Sequence, residues 1–167
     1  MTAALRAERR VVVGIAAIGV SGDPDETLVT HALGSCLGVV LFDPVARVAG
    51  LLHAMLPAAT LVAPQSRPNP AMFVETGVPH LIERCAAAGA DPRRLIVKAG
   101  GGARMGSSAV DYFKVGDRNM TALRLALWKC GLLLRARDVG GTMSRTLSVR
   151  VGDGAVTITG EGGARRL

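Results

Sequence analysis

One cysteine and two histidines lie in the segment HALGSCLGVVLFDPVARVAGLLHAMLP, which is otherwise apolar and punctuated by glycine. The Cys36 thiol could act as a nucleophile if a nearby imidazole, such as that of His53, carried its proton. Gly34 and Ser35 are small enough for a tight turn that exposes the sulfur and leaves backbone N–H groups to stabilise an oxyanion. In a plainer interpretation, Cys36 is a small core residue and His53 a buried, hydrogen-bonded side chain.

A β-hairpin would bring this thiol and one imidazole together. Asp43–Pro44 is turn chemistry between two apolar runs, and a turn centred between Pro44 and Val45 places Cys36 directly opposite His53. Opposed side chains project from one face with Cβ atoms about 4.5–5.5 Å apart, which allows a thiol–imidazole hydrogen bond. An imidazolium at that distance would lower the pKa of the thiol.

Two other features compete with this arrangement. His31 lies five residues before Cys36 and offers another imidazole, whereas His80 falls in a helical segment and is placed less well. A one-residue slip or a bulge in the hairpin would also spoil the alignment of Cys36 with His53.

Short β-branched runs and two helical segments predict a layered α+β domain, a sandwich of mainly antiparallel sheets flanked by two principal helices. The sequence VGDGAV predicts a hairpin with Asp153–Gly154 in its turn. Val11–Val20 follows basic residues, as the apolar part of a secretory leader would, but its β-branched residues favour a buried strand. The strand-like runs are Val11–Val20, Leu37–Asp43, Arg47–His53, Leu95–Lys98, Leu132–Arg137, Arg145–Val151 and Ala155–Thr159.

The two helices are predicted from apolar residues three and four positions apart. The first lies within Phe73–Ala88, and the second follows Asn119, which is expected to be its N-cap. Cys85 and Cys130 fall on the apolar faces of these helices and are expected to be inert packing thiols. The proline-rich segment LVAPQSRPNPAMF is expected to be a surface loop.

Length and composition limit the class of protein. The 167 residues predict one domain spanning 1–167, with residues 1–10 and 161–167 as flexible ends. The net charge of +7 suits an acidic protein partner, whereas scattered basic residues and only five aromatic side chains disfavour nucleic acid. Three cysteines without a CxxC pair favour a reducing, cytoplasmic setting, and the apolar N-terminal run is too short to cross a bilayer.

No motif predicts a cofactor or a metal ion. The stretch GGGARMGSS spaces Gly101 and Gly106 as in a phosphate-binding loop, but Ser107 stands where the lysine belongs. Asp111, Asp117 and Asp138 lie in separate segments and predict no metal cluster. We expect the glycines to serve tight backbone packing beside the reactive centre.

Five segments of the chain resemble the CheD family of chemoreceptor glutamine deamidases. They are TLVTHALGSCLGVVLFDP, GLLHAMLP, LIVKAGGGARM, VGDRN and DVGGTMSRTLSVRVGDGAVTI, in the family's order, and they cover most of the chain from Val13 to Thr159. Through this resemblance, Cys36 matches the nucleophile, His53 the catalytic histidine, and Thr30 a threonine that orients or polarises that histidine. Without the resemblance, a solvent-facing strand threonine is the better interpretation of Thr30.

The resemblance implies a cysteine hydrolase that converts receptor glutamines to glutamates through a thioester, a protein-glutamine glutaminase. Some family members also cleave glutamyl methyl esters. It further implies a sandwich like that of deamidating-toxin catalytic domains, no cofactor, and two partners, namely chemoreceptor cytoplasmic domains and a CheC-like phosphatase. The alternative is a non-catalytic chemotaxis adaptor that binds receptors or the phosphatase, against which the intact Cys36 and His53 argue.

Overall fold

The computed structural model describes residues 8–63, 69–106 and 113–167, which form two five-stranded sheets and two long helices. Short 3₁₀ turns lie at Ala59–Leu61, Pro70–Met72 and Pro92–Arg94. The helices are α1 (Val74–Ala87) and α2 (Val115–Lys129). The strands are β1 (Arg9–Val12), β2 (Ala17–Ser21), β3 (Glu26–Leu33), β4 (Leu37–Asp43), β5 (Val48–Ala54), β6 (Ile96–Gly101), β7 (Leu134–Val139), β8 (Arg145–Arg150), β9 (Val156–Gly160) and β10 (Gly163–Arg166).

The strands divide into sheet A, with the order β1-β3-β8-β9-β10, and sheet B, with the order β2-β5-β4-β6-β7. The pairs β1–β3 and β6–β7 are parallel, and the other six neighbouring pairs are antiparallel. The prediction of a layered α+β fold with mainly antiparallel sheets is therefore confirmed.

Two hydrophobic cores hold three layers together. One core lies between sheet B and the helices and takes Leu37, Val39 and Leu41 from β4. The other lies between the two sheets and takes Val40 and Phe42 from the opposite face of β4. Because successive side chains of a strand alternate between its faces, β4 and β5 are buried on both sides. They form a rigid platform at the centre of the molecule.

The N-terminal half departs from the sequence prediction in two places. Val11–Val20 is not one strand, because the chain turns at Ile15–Ala16, where Ala16 adopts a φ of 54°, and passes from sheet A to sheet B. Strand β3 was not predicted, although it lies between β1 and β8 in sheet A and pairs with both. The hairpin between β8 and β9 is confirmed, with Gly154 at a φ of 71° in its turn.

The β4–β5 hairpin forms, but with a register that differs from the predicted one. Four residues, 44–47, make the turn, and Asp43 pairs with Val48. His53 is therefore opposite Gly38, and the predicted direct pairing of His53 with Cys36 is wrong.

Asp43 explains this longer turn. Its buried carboxylate accepts hydrogen bonds from the N–H groups of Val45 (2.9 Å) and Ala46 (3.1 Å), and Arg47 closes the turn at a φ of 54°. Arg94 also donates to Asp43 through two nitrogens, at 3.0 and 2.7 Å, and holds the pKa of this carboxyl far below its usual range. Because the carboxylate stays ionised, this turn and the register that it sets persist well into the acidic range.

The helices begin and end close to their predicted positions, with one consequential exception. Helix α1 ends before Gly89, as expected, but α2 begins at Val115, so Asn119 lies inside the helix and is not its N-cap. Cys85 is buried as predicted, whereas Cys130 is exposed and caps the end of α2.

Other expectations meet the structure only in part. Residues 64–68 of the proline-rich segment lie outside the described residues. Arg9–Arg10 belong to β1 and Gly163–Arg166 to β10, so the predicted flexible ends include strand residues. None of the helices in the described ranges is long and apolar enough to cross a membrane.

Candidate active site

Cys36 lies in a three-residue bend, Gly34–Cys36, through which the chain crosses from β3 in sheet A to β4 in sheet B. Its side chain is half-buried and packs at the edge of the core between the sheets. This face of β4 continues into Gly38, which stands opposite His53. The crossing thus delivers a partly accessible thiol to the same side of sheet B as the imidazole.

Each of the three carbonyl groups of this bend accepts a hydrogen bond, two from the segment that follows β6 and one from α2. Gly34 O accepts from the N–H of Ala103, and Cys36 O accepts from the N–H of Gly102, both at 2.8 Å. Ser35 O accepts from the side-chain amide of Asn119 at 2.9 Å. With three carbonyls fixed in succession, the bend has little freedom to change its conformation.

The glycines that follow β6 are required by their closeness to this bend. Gly101 has a φ of 109°, and a Cβ at that position would lie 2.3 Å from Cys36 O. Gly102 has a φ of 60° and supplies the N–H that holds Cys36 O. The prediction of tight backbone packing in the glycine-rich stretch is confirmed for Gly101 and Gly102, which lie against the bend that carries Cys36. Residues 107 and 108 of that stretch lie outside the described residues.

The N–H groups of the bend differ in their availability. Gly34 N–H donates to Ala32 O at 2.9 Å and is occupied. Those of Ser35 and Cys36 have no backbone acceptor within the described ranges. Backbone N–H groups beside a thiol that are not used in backbone pairing are the elements from which an oxyanion site is built.

His53 lies near the end of β5, and its side chain is fully buried between the two sheets. Its Nδ1 lies 2.7 Å from the hydroxyl oxygen of Thr30 on β3. The hydroxyl also donates to the carbonyl of Val13 at 2.7 Å. The Thr30–His53 contact therefore joins the two sheets, since Thr30 belongs to sheet A and His53 to sheet B.

These two contacts determine which nitrogen of His53 carries the proton. A threonine hydroxyl has one hydrogen, and a carbonyl can only accept, so the Thr30 hydrogen goes to Val13. The hydroxyl oxygen must then accept from His53, which places the imidazole hydrogen on Nδ1. Nε2 is left as the unprotonated nitrogen and can accept a proton.

Nε2 of His53 is buried and has no hydrogen-bond partner in the part of the chain that the structure describes. The register makes Cys36 the diagonal neighbour of His53 on the same face, a position about 7–8 Å away between Cα atoms. The direct thiol–imidazole hydrogen bond expected from the hairpin is therefore not formed. Nε2 is thus a buried acceptor on the face of sheet B towards which the bend with Cys36 leads.

A bulge in β3 places Thr30 at this point. Thr30 pairs with Leu147 and Leu33 with Arg145, so β3 uses one residue more than β8 between these pairs. Ala32 takes up the extra residue with a φ of 57°. The bulge lets both Thr30 and Leu33 face the interior, although they are an odd number of residues apart. Thr30 is fully buried, so its interpretation as a solvent-facing threonine is wrong.

Burial disfavours the charged form of both the Cys36 thiol and the His53 imidazole. Burial raises the pKa of the Cys36 thiol, an effect that its own backbone N–H partly offsets. Burial lowers the pKa of the His53 imidazole. The expectation that an imidazolium lowers the thiol pKa is therefore wrong here, because the same burial disfavours the charged form of each group.

Alkylation of Cys36 by iodoacetamide should consequently become fast only at alkaline pH. Only the thiolate reacts, and a free thiol reaches half of its limiting rate at about pH 8.5. Because burial raises the pKa of the Cys36 thiol, we expect its half-point to lie above that pH. Peptide mass spectrometry of protein quenched across a pH series measures this for each cysteine separately. A half-point at or below neutral pH would instead indicate a preformed thiolate–imidazolium pair.

The other histidines are engaged elsewhere. His31 is exposed at the bulge, with its Nδ1 3.2 Å from the hydroxyl of Thr146, and His80 lies on α1 with its Nδ1 3.6 Å from Glu83. Among the described residues, no group of three or more His, Cys, Asp and Glu side chains is arranged to hold a metal ion.

Asn119 is the residue that sequence reasoning missed at this site. It is fully buried on α2 and reaches the bend that carries Cys36. The apolar spacing that predicted the helix contained a usable signal, because Asn119 precedes Leu123 and Leu127 on the same face. A polar side chain on the buried stripe of a helix needs a partner, and its position there excludes an N-cap.

Comparisons with known proteins show which proteins this chain resembles. The model of a family described as CheD chemotactic sensory transduction matches residues 55–160. A protein of Solibacter usitatus, named probable chemoreceptor glutamine deamidase CheD, is 43% identical over 95% of this chain and 93% of its own length. Proteins of the same description from Syntrophus aciditrophicus and Caldanaerobacter subterraneus are 36% and 42% identical over 93% and 87% of this chain, and over 97% and 90% of their own lengths.

Proposed function

Because the chain belongs to the CheD family, we propose that it hydrolyses glutamine side chains of chemoreceptors to glutamate, with Cys36 as nucleophile and His53 as proton carrier. The observation that carries this proposal is the state of the His53 ring. Its Nδ1 is held by Thr30, and its Nε2 is a buried acceptor without a partner. Such a nitrogen can take the proton of Cys36 when a bound substrate aligns the two groups.

The first half of the reaction forms a thioester. Cys36 Sγ attacks the carboxamide carbon while its proton passes to His53 Nε2, so no free thiolate has to form in the buried site. The bond from the carbonyl carbon to nitrogen then breaks, and the imidazolium returns the proton to the leaving ammonia. We assign stabilisation of the oxyanion to the N–H groups of Ser35 and Cys36, which have no backbone acceptor within the described ranges, and Gly34 contributes the tight turn that presents them.

The second half consumes water. Neutral His53 takes a proton from a water molecule, the hydroxyl attacks the thioester carbon, and the proton returns to the leaving sulfur. The balance is one glutamine and one water converted to one glutamate and one ammonium ion, since the carboxylic acid formed gives its proton to the released ammonia. A glutamyl methyl ester would give the same thioester with methanol as the leaving group, so the site suits both substrates.

The substrate class fits the charge of the chain. A net charge of +7 favours an acidic partner surface, such as a receptor helix that already carries glutamates. Each turnover replaces a neutral amide by a carboxylate, which increases the repulsion between packed receptor helices. We place this reaction in the cytoplasm, where the thiol stays reduced. We further propose a CheC-like phosphatase as a regulator that binds at the substrate cleft.

Incubation of the protein with a glutamine-containing cytoplasmic receptor fragment tests this function. We expect ammonia release in proportion to glutamine-to-glutamate conversion, mapped by peptide mass spectrometry, and methanol release from a fragment carrying glutamyl methyl esters. Binding of the fragment without ammonia, methanol or a mass change would overturn the proposal in favour of a non-catalytic adaptor.

A further inference from the structure

The side chain of Asn119 joins the two segments that carry the proposed nucleophile and its base. Its Nδ2 donates to Ser35 O at 2.9 Å and to Met55 O at 3.1 Å. Ser35 directly precedes Cys36, and Met55 follows His53 by two residues at the end of β5. We propose that Asn119 is a positioning residue that fixes the Cys36 bend relative to His53, an inference that rests on the proposed function.

The chemistry of the contact requires an asparagine. A side-chain amide has two N–H donors, and two carbonyl acceptors fix which way it faces. Its Oδ1 is buried and has no partner among the described residues, which is an unfavourable state for an amide oxygen. An aspartate would turn a carboxylate towards two carbonyls. The orientation that lets Asn119 Nδ2 donate to both carbonyls therefore leaves Oδ1 without a partner.

The strand register alone does not fix the two reactive groups relative to each other. Cys36 lies outside β4, in a bend one residue before the first paired position, whereas His53 lies within β5. Their separation thus depends on how the bend is held. Because a misplacement of about 1 Å can reduce a rate about 10²-fold, a single side chain that ties the bend to the end of β5 has a large influence on catalysis.

The first turns of α2 support the same bend through the neighbouring glycines. A Cβ on Gly116 would lie 2.5 Å from Gly102 O and 2.6 Å from Ala103 O, so this helix packs closely on the segment whose N–H groups hold Gly34 and Cys36. Asn119 extends from the next turn. Helix α2 is thus a common support for the bend through both backbone packing and the Asn119 amide.

Two substitutions at this position test the inference. Asn119→Leu keeps the branched shape and removes both donors, and Asn119→Ala removes the side chain. On the receptor fragment we expect kcat to fall about 10–100-fold with KM within about twofold, because the reacting groups and not the binding surface are disturbed. We also expect faster alkylation of Cys36 near neutral pH, since a released bend exposes the thiol and moves its pKa back towards the ordinary value.

Cys85 and Leu123 provide the controls. Cys85 is fully buried on the core-facing side of α1, so its alkylation reports general opening of the fold and should stay at the wild-type rate. Leu123→Ala, one turn along α2, should lower the melting temperature but leave kcat and Cys36 alkylation within about twofold of wild type. Unchanged kcat in Asn119→Leu, or equal increases in alkylation at Cys36 and Cys85, would overturn the inference.

A measurement on the wild-type chain keeps the inference testable if neither variant folds. The sequence has two asparagines, and Asn69 donates to Ala16 O. Alkylation of Cys36 should shift the side-chain amide resonances of Asn119 in ¹⁵N NMR spectra and leave those of Asn69 in place. Unshifted Asn119 resonances would show that the bend and this amide are not coupled. A wild-type protein without deamidase activity would reject the proposed function but leave this test intact.

Discussion

Replacement of Cys36 by alanine is expected to reduce ammonia release from a receptor fragment to the uncatalysed level, a loss on the order of 10⁴-fold or more. The reason is that no other group can form the thioester. Cys85 is buried on the far side of sheet B, where burial raises its thiol pKa to about 12, and Cys130 lies at the end of α2. The measurement is ammonia release at saturating fragment, together with glutamate formation by mass spectrometry.

Cys130→Ala is the matched control for this experiment. It removes an exposed thiol outside the site and should leave the rate unchanged, whereas Cys36→Ser should be nearly as inactive as Cys36→Ala. A serine hydroxyl holds its proton far more strongly than a thiol, so neutral His53 cannot activate it without a stronger base. Binding of the fragment should survive in all three proteins. Undiminished ammonia release by the Cys36→Ala protein would assign the chemistry to a different group.

The parts of the fold that the sequence predicted are those with strong local patterns. Strand β4 has the predicted bounds, and α1 lies within its predicted range, because a continuous apolar run and helical spacing are visible in a short window. Strand β3, with the sequence ETLVTHAL, has a buried threonine, an exposed histidine and a bulge, so no simple period describes it. Its position is set by pairing with β1 and β8, which lie far from it in the sequence.

The predicted geometry of the candidate site differs from the observed one in the register of the β4–β5 hairpin. Cys36 and His53 do share a face, but one side chain, Asp43, lengthens the turn and moves His53 from a direct to a diagonal position. No local pattern could place Thr30 against His53, because that contact joins different sheets. Only the family resemblance identified Thr30. Asn119 could be located on the buried face of its helix, but its two carbonyl partners depend on tertiary packing.

Replacement of Thr30 by valine is expected to lower kcat about 10²-fold or more and also to lower the melting temperature, because valine keeps the shape of threonine but leaves two buried polar groups without their hydroxyl partner. In the wild-type protein the hydroxyl accepts from His53 Nδ1–H and donates to Val13 O. Without it, an N–H at Nδ1 has no acceptor in a buried site. The imidazole hydrogen then moves to Nε2, which can no longer take the proton of Cys36.

The position of this hydrogen separates a catalytic effect from a structural one. ¹⁵N NMR of histidine-labelled protein distinguishes the protonated from the unprotonated ring nitrogen, and we expect the two His53 resonances to exchange their character in Thr30→Val. Thr30→Ser restores an oxygen that can accept and donate, so it should keep the wild-type tautomer and a rate within about tenfold of wild type. A Thr30→Val protein with the wild-type tautomer but low activity would refute this explanation. The same would hold for a fully active protein with the tautomer exchanged, since Nε2 could not then be the base.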